Sequence, residues 1–156
     1  MQVLAQTKQW ITLLVPSQLS SGEAALKALV ASDVMRDIDV EQSVRDNFLT
    51  AVREVLWNAI EHGGKMDASK LIRIDLLHSN RALSCFVKDP GNGFHLSDLR
   101  HAAINNPEED AVLHAQIREQ EGLRPGGYGI LLAQNFADEL IYNEHGNEVL
   151  LVKYLV

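Results

Sequence analysis

The sequence predicts an α/β chain folded as a two-layer sandwich, with a mixed, largely antiparallel sheet carrying helices on one face. Three observations lead there. Short apolar runs rich in β-branched residues, at 10–15, 71–77, 82–88, 140–143 and 148–156, read as strands. Segments with apolar residues three and four apart, at 20–34 and 41–62 and again after Gly129, read as helices. Brief turns join 71–77 to 82–88 and 140–143 to 148–156, so these strands pair as antiparallel hairpins.

The first strand is closed by Pro16. Ser20 and Ser21 then offer N-cap oxygens to a helix whose apolar stripe is Ala25, Leu26, Leu29 and Val30. In the long second helix Val44, Phe48, Ala51, Val52, Val55 and Ala59 share one face. Asp39 is its expected N-cap, with Gln42 as the capping-box partner, and Gly63 and Gly64 should close it by taking the left-handed conformation. Asp89-Pro90-Gly91-Asn92-Gly93 breaks the strand that ends at Lys88. The polar stretch 95–124, with a weak helix near 96–104, reads as a partly helical insertion. Ile130, Leu131, Ala133, Phe136 and Ala137 then mark a helix ending near Asp138.

At 156 residues the chain is expected to be one domain, 1–156. A hydrophobic share of 46% against 22% charged residues is that of a packed globular protein. The formal net charge of -7 argues against a broad phosphate-neutralising face, so no direct nucleic acid contact is expected. No run reaches the roughly 18 apolar residues of a transmembrane helix, and the N-terminus lacks the pattern of a secretory signal. A single cysteine, Cys85, excludes an internal disulfide. A cytoplasmic location away from the membrane is the expectation.

Three constellations carry candidate chemistry. Glu54, Asn58 and His62 in REVLWNAIEHGG are four residues apart and would form one polar line beside the apolar stripe, facing either a pocket or solvent. Asp89-Pro90-Gly91-Asn92-Gly93-Phe94 ends a strand. Its carboxylate could accept the exocyclic amino hydrogens of adenine while the glycines let a ligand pass close by, although the same residues also make ordinary turns. Arg124-Pro125-Gly126-Gly127-Tyr128-Gly129 opens a helix whose N-terminal N–H groups and dipole suit phosphate oxygens, or it is a simple hinge. It is neither a G-x-x-x-x-G-K-[ST] loop nor a G-x-G-x-x-G dinucleotide turn. The remaining histidines are scattered, Cys85 reads as a buried small hydrophobe, and Trp10 and Trp57 as packing residues.

Taken in order, Glu54-x-x-x-Asn58-Ala59-x-x-His62, Asp89-x-Gly91-x-Gly93-Phe94 and Gly127-x-Gly129-Ile130-x-Leu132 resemble the N, G1 and G2 boxes of the GHKL ATPase superfamily. The continuation Asn135-Phe136-Ala137-Asp138-Glu139-Leu140 is similar to the bacterial anti-sigma-factor serine kinases in particular. The resemblance extends from Trp10 to Val156 and implies the GHKL (Bergerat-type) fold, with ATP and Mg²⁺ as cofactors. It implies that Asp89 binds the adenine amino group, flanked by Gly91 and Gly93, that Asn58 gives an oxygen to Mg²⁺, and that Glu54 is the catalytic base. Gly126, Gly127, Tyr128, Gly129 and Ile130, with Arg124, would belong to the phosphate-binding lid. Trp57 is bulkier than the family pattern, and the segment between Gly93 and Gly126 is longer than in the smallest family members.

The function so implied is that of a partner-switching serine kinase. It would hold a sigma factor inactive and phosphorylate a serine of a small STAS-type antagonist, and the resemblance also suggests a homodimer. Two alternatives stay open: a non-catalytic ATP-binding regulatory module, and the catalytic domain of a histidine kinase acting on a separate protein.

Overall fold

The computed structural model describes residues 1–92 and 129–155. Six strands form one sheet in the order β1-β2-β3-β4-β6-β5, and every neighbouring pair is antiparallel. They are β1 (Gln2–Gln6), β2 (Trp10–Pro16), β3 (Leu71–His78), β4 (Ala82–Lys88), β5 (Glu139–Tyr142) and β6 (Glu148–Tyr154). The helices are α1 (Leu19–Ala31), the single turn α2 (Asp33–Arg36), α3 (Gln42–Asn58), which runs on as a π turn over Ala59–Gly63, and α4 (Gly129–Phe136). Among the described residues no helix is long and apolar enough to cross a membrane.

The two-residue period of the strands decides which face is covered. Ile11, Leu13 and Val15 of β2 and Ile72, Ile74 and Leu76 of β3 are fully or almost fully buried, while Trp10, Leu71 and Leu77 on the other face are exposed. One buried row crosses the sheet through Ile11, Leu76, Cys85 and Leu151, each opposite the next in register. Against this face lie Ala25 and Leu29 of α1 and Phe48, Ala51, Val52, Val55 and Leu56 of α3, in one continuous core with Ala133 of α4. Each large aliphatic side chain so buried contributes about 1.5–3 kcal/mol. The helical layer is therefore fixed by burial on one face, as the sequence predicts.

Several local expectations are corrected. Strand β1 has no counterpart in the sequence reading: Gln2-Val3-Leu4-Ala5-Gln6 lies at the sheet edge with four of its five residues exposed, so it carries no period-two signal. Helix α1 starts from Gln18 rather than Ser20 or Ser21, and stops at Ala31, where the Ser32 hydroxyl donates to the Leu29 carbonyl at 2.6 Å. The capping box of Asp39 and Gln42 does not form. Glu41 is the N-cap of α3, without a side-chain cap bond, and the Gln42 amide donates instead to Asp46 at 2.7 Å. The insertion expected at 95–124 lies outside the described residues.

The end of α3 differs most. Gly63 and Gly64 do not close it in the left-handed conformation; the residues with positive φ are Lys65 (54°) and Met66 (59°). The chain widens into a π turn, with the Gly64 N–H donating to the Ala59 carbonyl five residues back at 2.8 Å. The glycines are there because they are pressed against other parts of the molecule.

Candidate functional site

Glu54 and Asn58 stand one turn apart on the last stretch of α3, both half-buried. The helix keeps these two in line. His62 falls within the π turn Ala59–Gly63 that follows, where the four-residue spacing of an α-helix no longer applies.

Asp89 comes to the same place from the sheet, as the first residue beyond β4. It is 5% exposed. Its N–H donates to the Asn147 carbonyl at 2.9 Å, and its Oδ1 accepts the Gly91 N–H at 2.8 Å. Burial pushes the Asp89 carboxyl above the usual carboxylate range, and the Gly91 hydrogen bond offsets part of that rise. No lysine or arginine among the described residues neutralises it.

Three glycines allow this assembly. A Cβ on Gly63 would sit 2.1 Å from Asp89 Cγ, one on Gly91 2.6 Å from the Gly63 carbonyl oxygen, and one on Gly64 2.0 Å from Ser17 Oγ. Ser17 is fully buried just ahead of α1, and its hydroxyl donates to the Ile60 carbonyl at 2.9 Å. That carbonyl also accepts the Met66 N–H at 2.9 Å. The π turn is thus held between Ser17 on one side and Asp89 on the other. The left-handed Lys65 and Met66 beyond it each cost about 1–2 kcal/mol, which the surrounding contacts must offset.

The opposite wall comes from the β5–β6 hairpin. Asn143 braces its turn: Oδ1 accepts the Asn147 N–H at 3.0 Å and the Glu148 N–H at 3.1 Å, while Nδ2 donates to Asn147 Oδ1 at 2.7 Å. Gly146 holds φ at 73°, which favours glycine. Together Val55, Asn58, Ala59, Val87, Asp89, Tyr142, Gly146, Asn147 and Val149 line a hollow of about 10 Å³. That is room for a single water. Tyr142 is hydrogen-bonded to the Asn58 side chain. A far larger depression, about 530 Å³, lies by the other end of α3 between Asp39, Val40, Glu41, Val44, Lys153, Tyr154 and Leu155. It is an open surface feature without a buried polar group converging on it, so the small hollow beside Asp89 is the better site.

The structure therefore brings Glu54, Asn58, Asp89 and Gly91 to one region. Gly129 and Ile130 open α4, which packs against α3. Gly93, Arg124, Gly126, Gly127 and Tyr128 lie outside the described residues. Trp57, the bulky departure, is 4% exposed and packs away from the site: a Cβ on Gly22 of α1 would lie 3.1 Å from its ring. The missing side chain at Gly22 makes space for the indole. Sequence reasoning missed Ser17 and Tyr142 entirely, and read Gly146 and Asn147 only as a turn.

Comparison with known proteins bears on the family of the chain. A model of the histidine kinase-like ATPase domain matches residues 16–153. The chain is 28% identical to an anti-sigma F factor of Anoxybacillus flavithermus over 142 residues, covering 89% of this chain and 88% of that protein. It is 27% identical to anti-sigma F factors of Bacillus cereus and Bacillus mycoides over 143 residues, with the same coverage. The family model spans most of the chain, and the antiparallel sheet with helices on one face is consistent with it: the chain belongs to the histidine kinase-like ATPase domain family.

Proposed function

We propose that this chain is an anti-sigma factor with ATP- and Mg²⁺-dependent serine kinase activity, which phosphorylates a small STAS-type antagonist and releases its sigma factor in exchange. Membership of the ATPase family implies ATP binding. The observation that carries the reading further is the meeting of Asp89, a buried carboxylate without a cationic partner among the described residues, with Asn58, one turn after Glu54. A buried acceptor of this kind suits an amino-group donor such as the adenine exocyclic nitrogen. The hollow is too small for a purine, so the base would lie at its mouth, with its amino edge toward Asp89.

The residues present fit Mg²⁺. Among the described residues no three His, Cys, Asp or Glu side chains converge into a metal cage. Magnesium takes one or two protein oxygens and draws its remaining ligands from phosphates and water. The Asn58 amide oxygen is one such ligand. The ion would neutralise charge on the phosphates as the γ-phosphoryl group moves. In this reading Glu54, one turn before Asn58 on α3, is the base that orients the attacking serine hydroxyl and takes its proton. Gly127 and Gly129, with Arg124, Gly126, Tyr128 and Ile130, belong to the lid in the same reading, and Gly93 to the adenine side. Phosphoserine adds about -1.5 to -2 charges to the antagonist surface and weakens its hold on this acidic chain, whose net charge is -7.

The test is an affinity capture from the native extract with and without Mg-ATP, with mass spectrometry of retained proteins and their phosphoserines. A retained sigma factor, together with a small protein phosphorylated on serine only when ATP is present, is the expected result. Glu54→Gln should slow that phosphorylation on the order of 10²-fold or more while ATP still binds. Transfer at the wild-type rate would remove Glu54 from the mechanism, and a partner retained without phosphate transfer would make the chain a non-catalytic module.

A further inference from the structure

Asp89 does not stand alone beside the hollow. Where β4 and β6 run out, the register that pairs Val87 with Val149 and Lys88 with Glu148 carries on to Asp89 and Asn147, joined by the Asp89 N–H to the Asn147 carbonyl at 2.9 Å. Asp89 lies two residues after Val87 and Asn147 two before Val149, so both belong to the helix-covered face, and both line the hollow. Opposed side chains of an antiparallel pair start about 5 Å apart at Cβ, near enough to hold adjacent atoms of one ring.

Which arm of the Asn147 amide is left for a ligand is settled by groups that cannot exchange roles. The backbone N–H groups of Asn147 and Glu148 both donate to Asn143 Oδ1, at 3.0 and 3.1 Å. That orients the Asn143 amide, so the arm it turns to the Asn147 side chain is Nδ2, a donor. Asn147 answers with Oδ1 at 2.7 Å. The arm of Asn147 directed away from Asn143 is therefore Nδ2, a group that only donates. On Asp89 the Gly91 N–H holds Oδ1 at 2.8 Å, which leaves Oδ2, a group that only accepts, to a ligand.

We propose that Asn147 is a specificity-determining residue for the base: while Asp89 accepts the exocyclic amino group of adenine, Asn147 Nδ2 donates to a ring nitrogen next to that amino group. This rests on the reading of Asp89 as the adenine seat. A carboxylate by itself asks only for donors, and guanine offers two adjacent ones in its N1–H and 2-amino group. A fixed donor beside the carboxylate changes the demand to one donor and one acceptor on neighbouring atoms. Adenine meets it, because its amino group is flanked by the unprotonated N1 and N7. Guanine does not: its O6 faces the carboxylate, or its second N–H faces the Asn147 NH₂. A site of paired hydrogen-bonding groups rejects the wrong base strongly, because those groups are then left unsatisfied. The turn that joins β5 to β6 thus also reads the ligand, through an amide whose orientation is set four residues earlier by Asn143.

The experiment measures dissociation constants by calorimetry for ATP, 1-deaza-ATP, 7-deaza-ATP and GTP, with the wild type, Asn147→Ala and Asp89→Asn. Each deaza analogue replaces one ring nitrogen by C–H and keeps the amino group. On the wild type one of the two should bind about 3- to 10-fold more weakly than ATP, which identifies the ring edge, and the other within about twofold. GTP should bind at least about 100-fold more weakly than ATP. Asn147→Ala should bind ATP and the weaker analogue equally, and its preference for ATP over GTP should narrow by at least the same factor. Asn147→Asp keeps an oxygen toward Asn143 and removes the donor, so it serves where alanine unbraces the turn, and it should lose or reverse the preference for ATP over that analogue. If Asp89→Asn binds ATP as tightly as the wild type, the adenine seat itself is misplaced and the role of Asn147 falls with it. If Asp89→Asn weakens ATP binding but the wild type binds both analogues like ATP, the role of Asn147 alone is overturned. The same follows if the Asn147 variants still distinguish the analogue from ATP as the wild type does.

Discussion

Gly63 and Asp89 touch where the helical layer meets the sheet: a Cβ built on the glycine would lie 2.1 Å from the aspartate Cγ and 2.4 Å from its Oδ1. Neither group can yield cheaply, because Asp89 is tied to Gly91 and Asn147 and the π turn to Ser17. Gly63→Ala should therefore move the carboxyl, with a stability loss of about 1–3 kcal/mol from overpacking and ATP binding weaker on the order of 10-fold. Gly64→Ala supplies the contrast, since its Cβ would meet Ser17 on the far side of the turn. It should cost comparable stability in a urea titration but less ATP affinity in calorimetry. Equal losses of affinity would mean that Gly63 matters only for folding.

Asp89→Asn separates the needs of folding from those of binding. The Asp89 pKa is raised by burial, so its stability contribution is present below the unfolded carboxyl value and is lost as pH rises through the raised folded value. Near neutral pH the folded protein without nucleotide holds a buried charge that it would hold more comfortably as the acid. Asn removes that charge and keeps one acceptor for the Gly91 N–H. The variant should melt at or above the wild-type temperature near pH 7.5, with the gap closing as the pH is lowered toward the carboxyl range. ATP binding should nonetheless weaken about 10- to 100-fold. Asn has one acceptor where Asp has two, and its NH₂ then faces either the adenine amino group or the Gly91 N–H.

The fold was legible where one face is buried and the other wet. The alternation in 71–77 and the three-and-four spacing of Val52, Val55 and Ala59 each record a single burial surface, and the elements follow almost to the residue. Strand β1 left no such record because an edge strand need not bury either face. Within the site, Asn58 and Asp89 were legible from motif order. Ser17 and Tyr142 were not, because a buried hydroxyl on a carbonyl of another element and a phenol on an amide across layers have no sequence spacing. Gly63 and Gly64 were noticed for the wrong reason: sequence shows that a side chain is missing, and only the structure shows what fills its place.

Cys85 should behave as a core residue. It is fully buried in the row between Leu76 and Leu151, and burial first, then the Asp75 charge, pushes its thiol far above the ordinary value. Thiol reagents require the thiolate and access to it. Reaction with a disulfide reagent at pH 8 should be slow in the native protein and become fast on adding denaturant. Fast native labelling would contradict the packing of the central strands.

On the open face of the sheet Asp75 is 7% exposed and gathers its own partners: the Thr12 hydroxyl at 2.5 Å, the Trp10 indole N–H at 3.4 Å, and Arg73 through Nε at 2.8 Å and Nη2 at 3.2 Å. Burial alone would push its pKa up, but the hydrogen bonds from Arg73, Thr12 and Trp10 and the guanidinium charge together bring it below the usual range. The contribution of a depressed carboxyl is present above the unfolded value and is lost as pH falls through the folded one. Asp75→Ala should cost about 1–3 kcal/mol, because it strands the Thr12 hydroxyl, itself 2% exposed, without its acceptor. Asp75→Asn can still accept from Thr12 and loses chiefly the ion pair to a half-exposed Arg73, so about 1 kcal/mol or less is expected. In urea titrations the gap between wild type and Asp75→Asn should stay constant around neutrality and shrink in acid. ATP affinity should be unchanged in both variants, because Asp75 projects from the face opposite Val87 and Val149. A loss of affinity confined to Asp75→Ala would mean that strain in β2 and β3 reaches the nucleotide site through the sheet.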